Sequence, residues 1–416
     1  MKGQGDPCPF FAWPVLRAAS SFVAGERGAA MAVGVFRGEE GRVGFAELFF
    51  DLVFVFAITQ VSHHLLHHFD LHGALETAVM FLAVWWVWIY TTWVMNRLDP
   101  DAFRVRVLLF VLMVLGLFLS MAVPQAFGDR GMVFAACFVA MQLGRSLFVL
   151  WHSGAGTQVR DTYVRITLWF VASAVFWIGG AMVEGEARLA VWAVALLVEY
   201  LGPVANYRVP GLGLDTTQNW AVKGAHMAER CGLFVIICLG ETLLVSGATF
   251  AGMDWTGPGV RAFLWSVALS IAMWWVYFHI GHHRGAHLIE TSDDPGRVAR
   301  LSFTYAHIPI VAGIVLSAVG CERVIAHPDQ TGHLGDLLAL MGGNLLFLAG
   351  NGWFKRLSGQ WWPLSHLAGM GLSVLVFFAG FALPLEVTAG LAALVLAVVA
   401  VWEDRTLGRD GGVKGA

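Results

Sequence analysis

The sequence predicts an all-α polytopic membrane protein, and three observations lead there. Hydrophobic residues make up 57% of the 416 positions and charged residues only 13%, against about 45–50% and about 25% in soluble domains. The apolar residues fall into windows of about 20, the helical length that crosses the ~30 Å hydrocarbon layer. The basic residues are also unevenly divided between the two ends of those windows.

The first forty residues contain no predicted span. Phe10 to Val23 is apolar but is broken by Pro14 and Arg17, and no stop-transfer pattern follows it. Met31 opens a short polar lead into the first strong helix and is the expected start of the functional chain. Candidate helices then lie near 45–67, 74–95, 102–123, 131–152, 162–183 and 187–206, and a second set near 228–250, 260–282, 299–322, 335–354, 361–383 and 387–402. These twelve spans divide the chain into a leader (1–42), a first six-helix half (43–206), a Pro- and Gly-rich linker (207–225), a second half (226–402) and a tail (403–416).

Charge tests the count, because Lys and Arg concentrate on the cytoplasmic side of a membrane. With the amino terminus inside, Arg130, Arg188, Arg261 and Arg323 alone fall outside and Arg145 lies within a helix; the rest of the 26 Lys and Arg are on the inner side. Both termini are therefore expected in the cytoplasm. The two halves read as copies of one unit: Ala83-Val84-Trp85-Trp86-Val87-Trp88 precedes Asp99-Pro100, and Ala272-Met273-Trp274-Trp275-Val276-Tyr277 precedes Asp294-Pro295. Repeats of six helices share one orientation.

Polar groups inside these helices are costly, at least ~2.5–3.5 kcal/mol for a charge at mid-bilayer, so each marks a partner or a pathway. Helix 1 carries Glu47 and Asp51 at i, i+4, then Gln60 and His63; helix 4 carries Gln142 and Arg145; helix 6 carries Glu199; helix 7 follows His226 with Glu229, Arg230 and Glu241; helix 9 carries His307. Helices 10 and 11 add Asn344, Asn351 and His366. The bland alternative is structural: Glu47 complements a helix dipole, and Asp51 salt-bridges another helix. Arg145 needs a counter-charge, with Asp51, Glu199 and Glu241 available. Arg230 and Glu241 share a face of helix 7 with Phe234 and Ile237, and Gly240 is expected to admit a close neighbouring helix. His307 stands two residues before Pro309, and Glu199 four before Pro203, where proline removes a backbone hydrogen bond.

The histidine pairs His63/His67, His64/His68, His279/His283 and His283/His287, with His72 nearby, have ligand spacing. The topology separates the two groups across the membrane, and zinc needs about four ligands in one place, so neither a metal nor a cofactor is expected. Cys8, Cys137, Cys231, Cys238 and Cys321 show no CxxC or disulfide pattern. A net charge of −3 without a basic block gives no sign of nucleic-acid binding.

The run Glu47-Leu48-Phe49-Phe50-Asp51-Leu52-Val53-Phe54-Val55-Phe56-Ala57-Ile58-Thr59-Gln60-Val61-Ser62-His63 resembles the signature of the bacterial low temperature requirement protein A family. The resemblance continues through the Trp-rich second helix, through His226-Met227-Ala228-Glu229-Arg230-Cys231-Gly232 with Leu239-Gly240-Glu241, and through Tyr305-Ala306-His307-Ile308-Pro309. It implies an integral membrane protein linked to growth in the cold, and it carries Glu47, Asp51, Gln60, His63, His226, Glu229, Arg230, Glu241 and His307 as family motif positions. Phe50-Asp51-Leu52 with Ala57-Ile58-Thr59 is also similar to the helix 1 signature of the lysosomal potassium channel family, although helix 7 lacks the Phe-Asp pair.

Three functions compete. The leading one is a secondary transporter, or a pathway for protons, a cation or a small solute, built on the embedded carboxylates and histidines. The second is an intramembrane enzyme or redox protein using His307, His226 or a bound cofactor, and the third a membrane factor for low-temperature growth without turnover. The only other expected partners are membrane lipids. No phosphate-binding loop, GxSxG elbow or HExxH occurs.

Overall fold

The computed structural model describes residues 35–37, 42–279, 288–358 and 362–410; Met31 and the leader before it, Cys8, His283 and His287 lie outside the described residues. Among those described the chain is helical, in twelve apolar elements: α1 (Phe45–His67), α2 (Leu71–Met95), α3 (Phe103–Ala122), α4 (Gly131–His152), α5 (Gln158–Ala181), α6 (Gly185–Val204), α7 (Gly224–Ala251), α8 (Gly257–Phe278), α9 (Pro295–Ala326), α10 (Leu334–Leu357), α11 (Leu364–Ala379) and α12 (Leu385–Asp410). Eleven are long and apolar enough to cross a membrane. α11, at 16 residues, reaches about 24 Å at 1.5 Å per residue, under the ~30 Å hydrocarbon layer, a mismatch that a locally thinned bilayer accommodates. α12 runs eight residues beyond its predicted end at 402, because the predicted tail opens with the helix formers Glu403 and Arg405.

Local chemistry sets the helix starts. The Asp70, Thr157, Thr256 and Asp294 side chains accept from backbone N–H groups at the starts of α2, α5, α8 and α9, supplying partners that the first turn of a helix lacks. Hydrophobicity does not separate inward from outward faces, since lipid is as apolar as leucine; polarity and side-chain size do. On α1, Phe45, Phe49, Leu52 and Phe56 point outward while Glu47, Asp51, Phe50 and Phe54 are buried. On α3, Gly116 lets Val53 of α1 come within 3.1 Å of where its Cβ would be.

The same neighbours recur in both halves. α1 packs on α2 and α3, and α3, α4, α5 and α6 follow in sequence with α2 touching α6; α7 packs on α8 and α9, and α9 to α12 follow with α8 touching α12. The halves meet where α1 and α2 face α7 and α9. The Trp-rich helices are not equivalent in environment: Trp85, Trp86 and Trp88 of α2 are fully buried, whereas Trp274 and Trp275 of α8 are each 47% exposed on the lipid side.

The tightest helix contact is α9 on α10. Gly313 faces Gly343, while Gly320 lies against Leu340 and Gly350 against Ile310; a Cβ on Gly313 would sit 2.5 Å from the Phe347 backbone nitrogen, and one on Gly350 2.7 Å from that of Ile310. The close approach expected at Gly240 does not occur, because nothing lies within 4 Å of a Cβ built there and that face of α7 is open. Gly313→Val should therefore cost about 1–3 kcal/mol and lower the thermal unfolding midpoint in detergent, while Gly240→Ala should leave it within measurement error; equal effects would contradict this packing.

Candidate functional site

α1 presents Glu47 and Asp51 one turn apart, and α7 presents His226 and Arg230 at the same spacing. Nε2 of His226 donates to Glu47 at 2.8 Å and Nη1 of Arg230 donates to Asp51 at 2.8 Å. Both rungs join residues 179 apart in sequence, and a constant difference requires the two helices to run parallel. All four side chains are buried, none more than 1% exposed. The opening helices of the two halves are thus held in register by a two-rung acid–base ladder.

Each rung is braced from outside. Glu47 also accepts from Gly44 N at 2.8 Å and from Arg37 Nη2 at 2.9 Å. The side chain of Asn96, at the end of α2, clasps both backbone groups of Lys223, donating to its carbonyl at 2.9 Å and accepting from its N–H at 3.0 Å. That fixes the amide orientation, so an Asn96 N–H faces His226 Nδ1 at 3.1 Å, and the ring must keep its lone pair there and carry its proton on Nε2. Asp51 takes a second bond from Trp88 Nε1 at 2.8 Å, and the Arg230 guanidinium lies 5.5 Å from the Trp88 ring.

Beyond the ladder the seam turns aromatic. Phe234 packs 4.2 Å from Trp88 and 5.6 Å from Trp85, and Phe50 lies 5.0 Å from Phe54. Past this layer polarity returns: Glu241 lies beside Thr59 and within electrostatic reach of His63 and Glu322, and Glu322 lies near Thr249, His63 and His67. Arg323, next to Glu322, is turned to Asp336 instead. Glu47, Asp51, Thr59 and His63 all fall on one four-residue progression along α1, with Val55 its only apolar member.

Two further polar networks sit inside the separate halves. Arg145 of α4 donates to Val87 O at 3.0 Å, to Thr91 Oγ1 at 2.8 Å and to Gln142. Gln142 donates in turn to Glu199 of α6 at 2.9 Å, and Glu199 also takes Trp86 Nε1 at 2.9 Å and Ser173 of α5. The expected counter-charge of Arg145 is therefore Glu199, reached through Gln142, while Asp51 belongs to Arg230. In the second half Lys355 of α10 donates to Glu403 of α12 at 2.7 Å, with His366 of α11 3.3 Å from the same carboxylate and Ser365 at 3.4 Å. Base on the fourth helix, serine on the fifth and glutamate on the sixth recur in both halves.

His307 follows an irregular turn. Arg300–Tyr305 is π-helical, which frees Ser302 O to accept from His307 Nδ1 at 2.8 Å and Thr304 O to accept from Trp85 Nε1 at 3.1 Å. His307 Nε2 accepts from Tyr277 OH at 2.8 Å.

A sequence profile described as bacterial low temperature requirement A protein (LtrA) matches residues 42–401. The chain belongs to this family. It is 44% identical over 373 residues to the uncharacterized protein RA0937 of Rhizobium meliloti (strain 1021), a match covering 88% of this chain and 90% of that one. No solved structure matches.

Of the LtrA motif positions, Glu47, Asp51, His226 and Arg230 converge in the ladder, and Glu241 and His63 lie near each other at the far end of the same seam. Glu229 is exposed and accepts from Val43 N at 3.2 Å; Gln60 is half-buried beside Thr59. The other histidines are dispersed: His64 meets Glu76 at 3.2 Å, His72 bridges Glu76 and Glu186, and His279 meets Asp404. Sequence reading missed Asn96, Trp88, Glu322 and the Lys355–Glu403 pair. The matching i, i+4 spacing of 47/51 and 226/230 was the signal available for the ladder itself. Asp51→Asn should strand the buried Arg230 charge and cost about 3–5 kcal/mol, read as a lower unfolding midpoint in detergent; a midpoint equal to wild type would mean the pair is not buried as described.

Proposed function

We propose that this multi-pass LtrA-family protein is a secondary transporter or ion pathway, with protons as the first candidate, whose route follows the α1–α7 seam between two parallel six-helix repeats. The observation that carries the reading is a file of titratable groups, Glu47, His226 and Asp51 at one end and Glu241, His63 and Glu322 at the other, interrupted by Phe54, Trp85, Trp88 and Phe234. Buried ionisable groups within spans mark such routes, and an apolar constriction closes one until it moves. The parallel ladder, the shared neighbour order and the recurrent base–serine–glutamate networks support the repeat, and a seam between repeats is where transporters bind their cargo. Both ring nitrogens of His226 and of His307 are committed to protein hydrogen bonds, which disfavours the enzymatic alternative.

The orientation proposed from charge, with both termini cytoplasmic in the inner membrane, has its own test. Single-cysteine labelling in intact cells should find Gly211 protected and Gly128 and Gly257 accessible; Gly211 and Gly128 reacting on one side would refute twelve crossings. For function, Glu241→Gln removes a titratable group that has no ion-pair partner among the described residues, so thermal stability should hold while pH-driven flux in proteoliposomes falls at least ~10-fold. Unaltered flux with unaltered stability would remove Glu241 from the pathway.

A further inference from the structure

A second site lies outside the α1–α7 seam. A part-open cavity of about 40 Å³ sits between α2, α4, α5, the linker and the π-helical start of α9, lined by Tyr90, Arg97, Tyr163, Tyr207, Trp220 and Arg300 among others. No Asp or Glu lines it. The nearby Asp215 is already engaged by Trp220 Nε1 at 2.9 Å, by Thr216 N and by Arg165 at 3.9 Å.

The lining offers hydrogen-bond donors in excess. The Arg97 guanidinium and the Tyr163 hydroxyl have no hydrogen-bond partner among the described residues, and Arg300 donates through Nη1 to Asn206 Oδ1 at 3.0 Å and to Pro203 O while its buried Nε has none. Tyr90 and Tyr207 share one hydrogen bond between their hydroxyls. Two hydroxyls carry two hydrogens and the shared bond uses one, so a second O–H is left without an acceptor. Burial pushes the Tyr207 phenol well above its ordinary value, so it stays a hydrogen donor. The buried Arg300 Nε needs an acceptor, Arg97 is half-buried, and two guanidiniums with no carboxylate partner among the described residues favour a negatively charged ligand.

We propose that this cavity is a binding site for a small anion, of the size of a halide or a carboxylate group, held by Arg97, Arg300 and the tyrosine hydroxyls. The volume accommodates a few waters or one such ion and is well below the ~150 Å³ that takes benzene. Because the lining joins first-half helices to the π-helical segment of the second half, the ion ties the halves together at a point separate from the ladder. The site stands whether or not the seam conducts.

The test is thermal unfolding of the purified full chain in detergent at constant ionic strength, with sodium bromide replacing sodium gluconate, an anion too large for the cavity. The unfolding midpoint should rise and saturate with bromide. Arg97→Gln should keep the wild-type midpoint in gluconate, because the Arg97 guanidinium has no hydrogen bond to lose among the described residues, and should raise the half-saturating bromide concentration at least ~10-fold. Arg97→Lys, which keeps the charge without the fork, should fall between them. A bromide response absent in wild type, or unchanged in both variants, would overturn the proposal and leave the cavity to water.

Discussion

Charge cannot be left unpaired inside a bilayer, and in this protein that constraint is met by one interaction on which the arrangement of the halves depends: Glu47 and Asp51 of α1 against His226 and Arg230 of α7. A buried pair gains little over a well-packed apolar one, yet breaking it costs several kcal/mol. Its effect is therefore on geometry. A one-turn slip of α7 along α1 would leave either Glu47 and Arg230 or Asp51 and His226 without a partner, so the ladder fixes register, and the parallel direction follows from it. Arg37, Asn96 and Trp88 hold the rungs from three sides, which brings residues from before α1, from the end of α2 and from within α2 to the same place.

The halves share a plan and differ in its use. Each has a base on its fourth helix tied to a glutamate on its sixth, directly in the second half and through Gln142 in the first. Each has a Trp-rich second helix, but only α2 is swallowed by the protein, because it lies where the halves meet; α8 keeps Trp274 and Trp275 toward lipid. That difference draws most of the aromatic layer of the seam from the first half. The first half contributes Trp85 and Trp88, and the second contributes Phe234.

Much of the fold was legible because a membrane span is a long signal: twenty apolar residues in a row specify a helix almost without context. α1 to α10 sit close to their expected positions, and the α11 and α12 limits moved where a short helix and a polar helical extension broke the length rule. The site was legible in its members and not in its pairings. Helical spacing places Glu47 and Asp51 on one face, but which base they meet depends on how the halves dock, a contact between residues 179 apart. For the same reason Arg145 was matched to a list of acids when its nearest charged neighbour stands behind Gln142. Gly240 was misread because a small residue permits a close neighbour without supplying one; the glycines that do receive helices, Gly313 and Gly343, stand opposite each other on α9 and α10.

The central claim is that the seam is a pathway closed by an aromatic layer between two titratable ends. The most direct measurement is proton permeability of proteoliposomes carrying Phe234→Ala, followed with an internal pH dye after an imposed pH step. The account predicts a proton leak well above wild type, abolished when Glu241→Gln is added in the same chain. A Phe234→Ala protein that is folded and as proton-tight as wild type would contradict it.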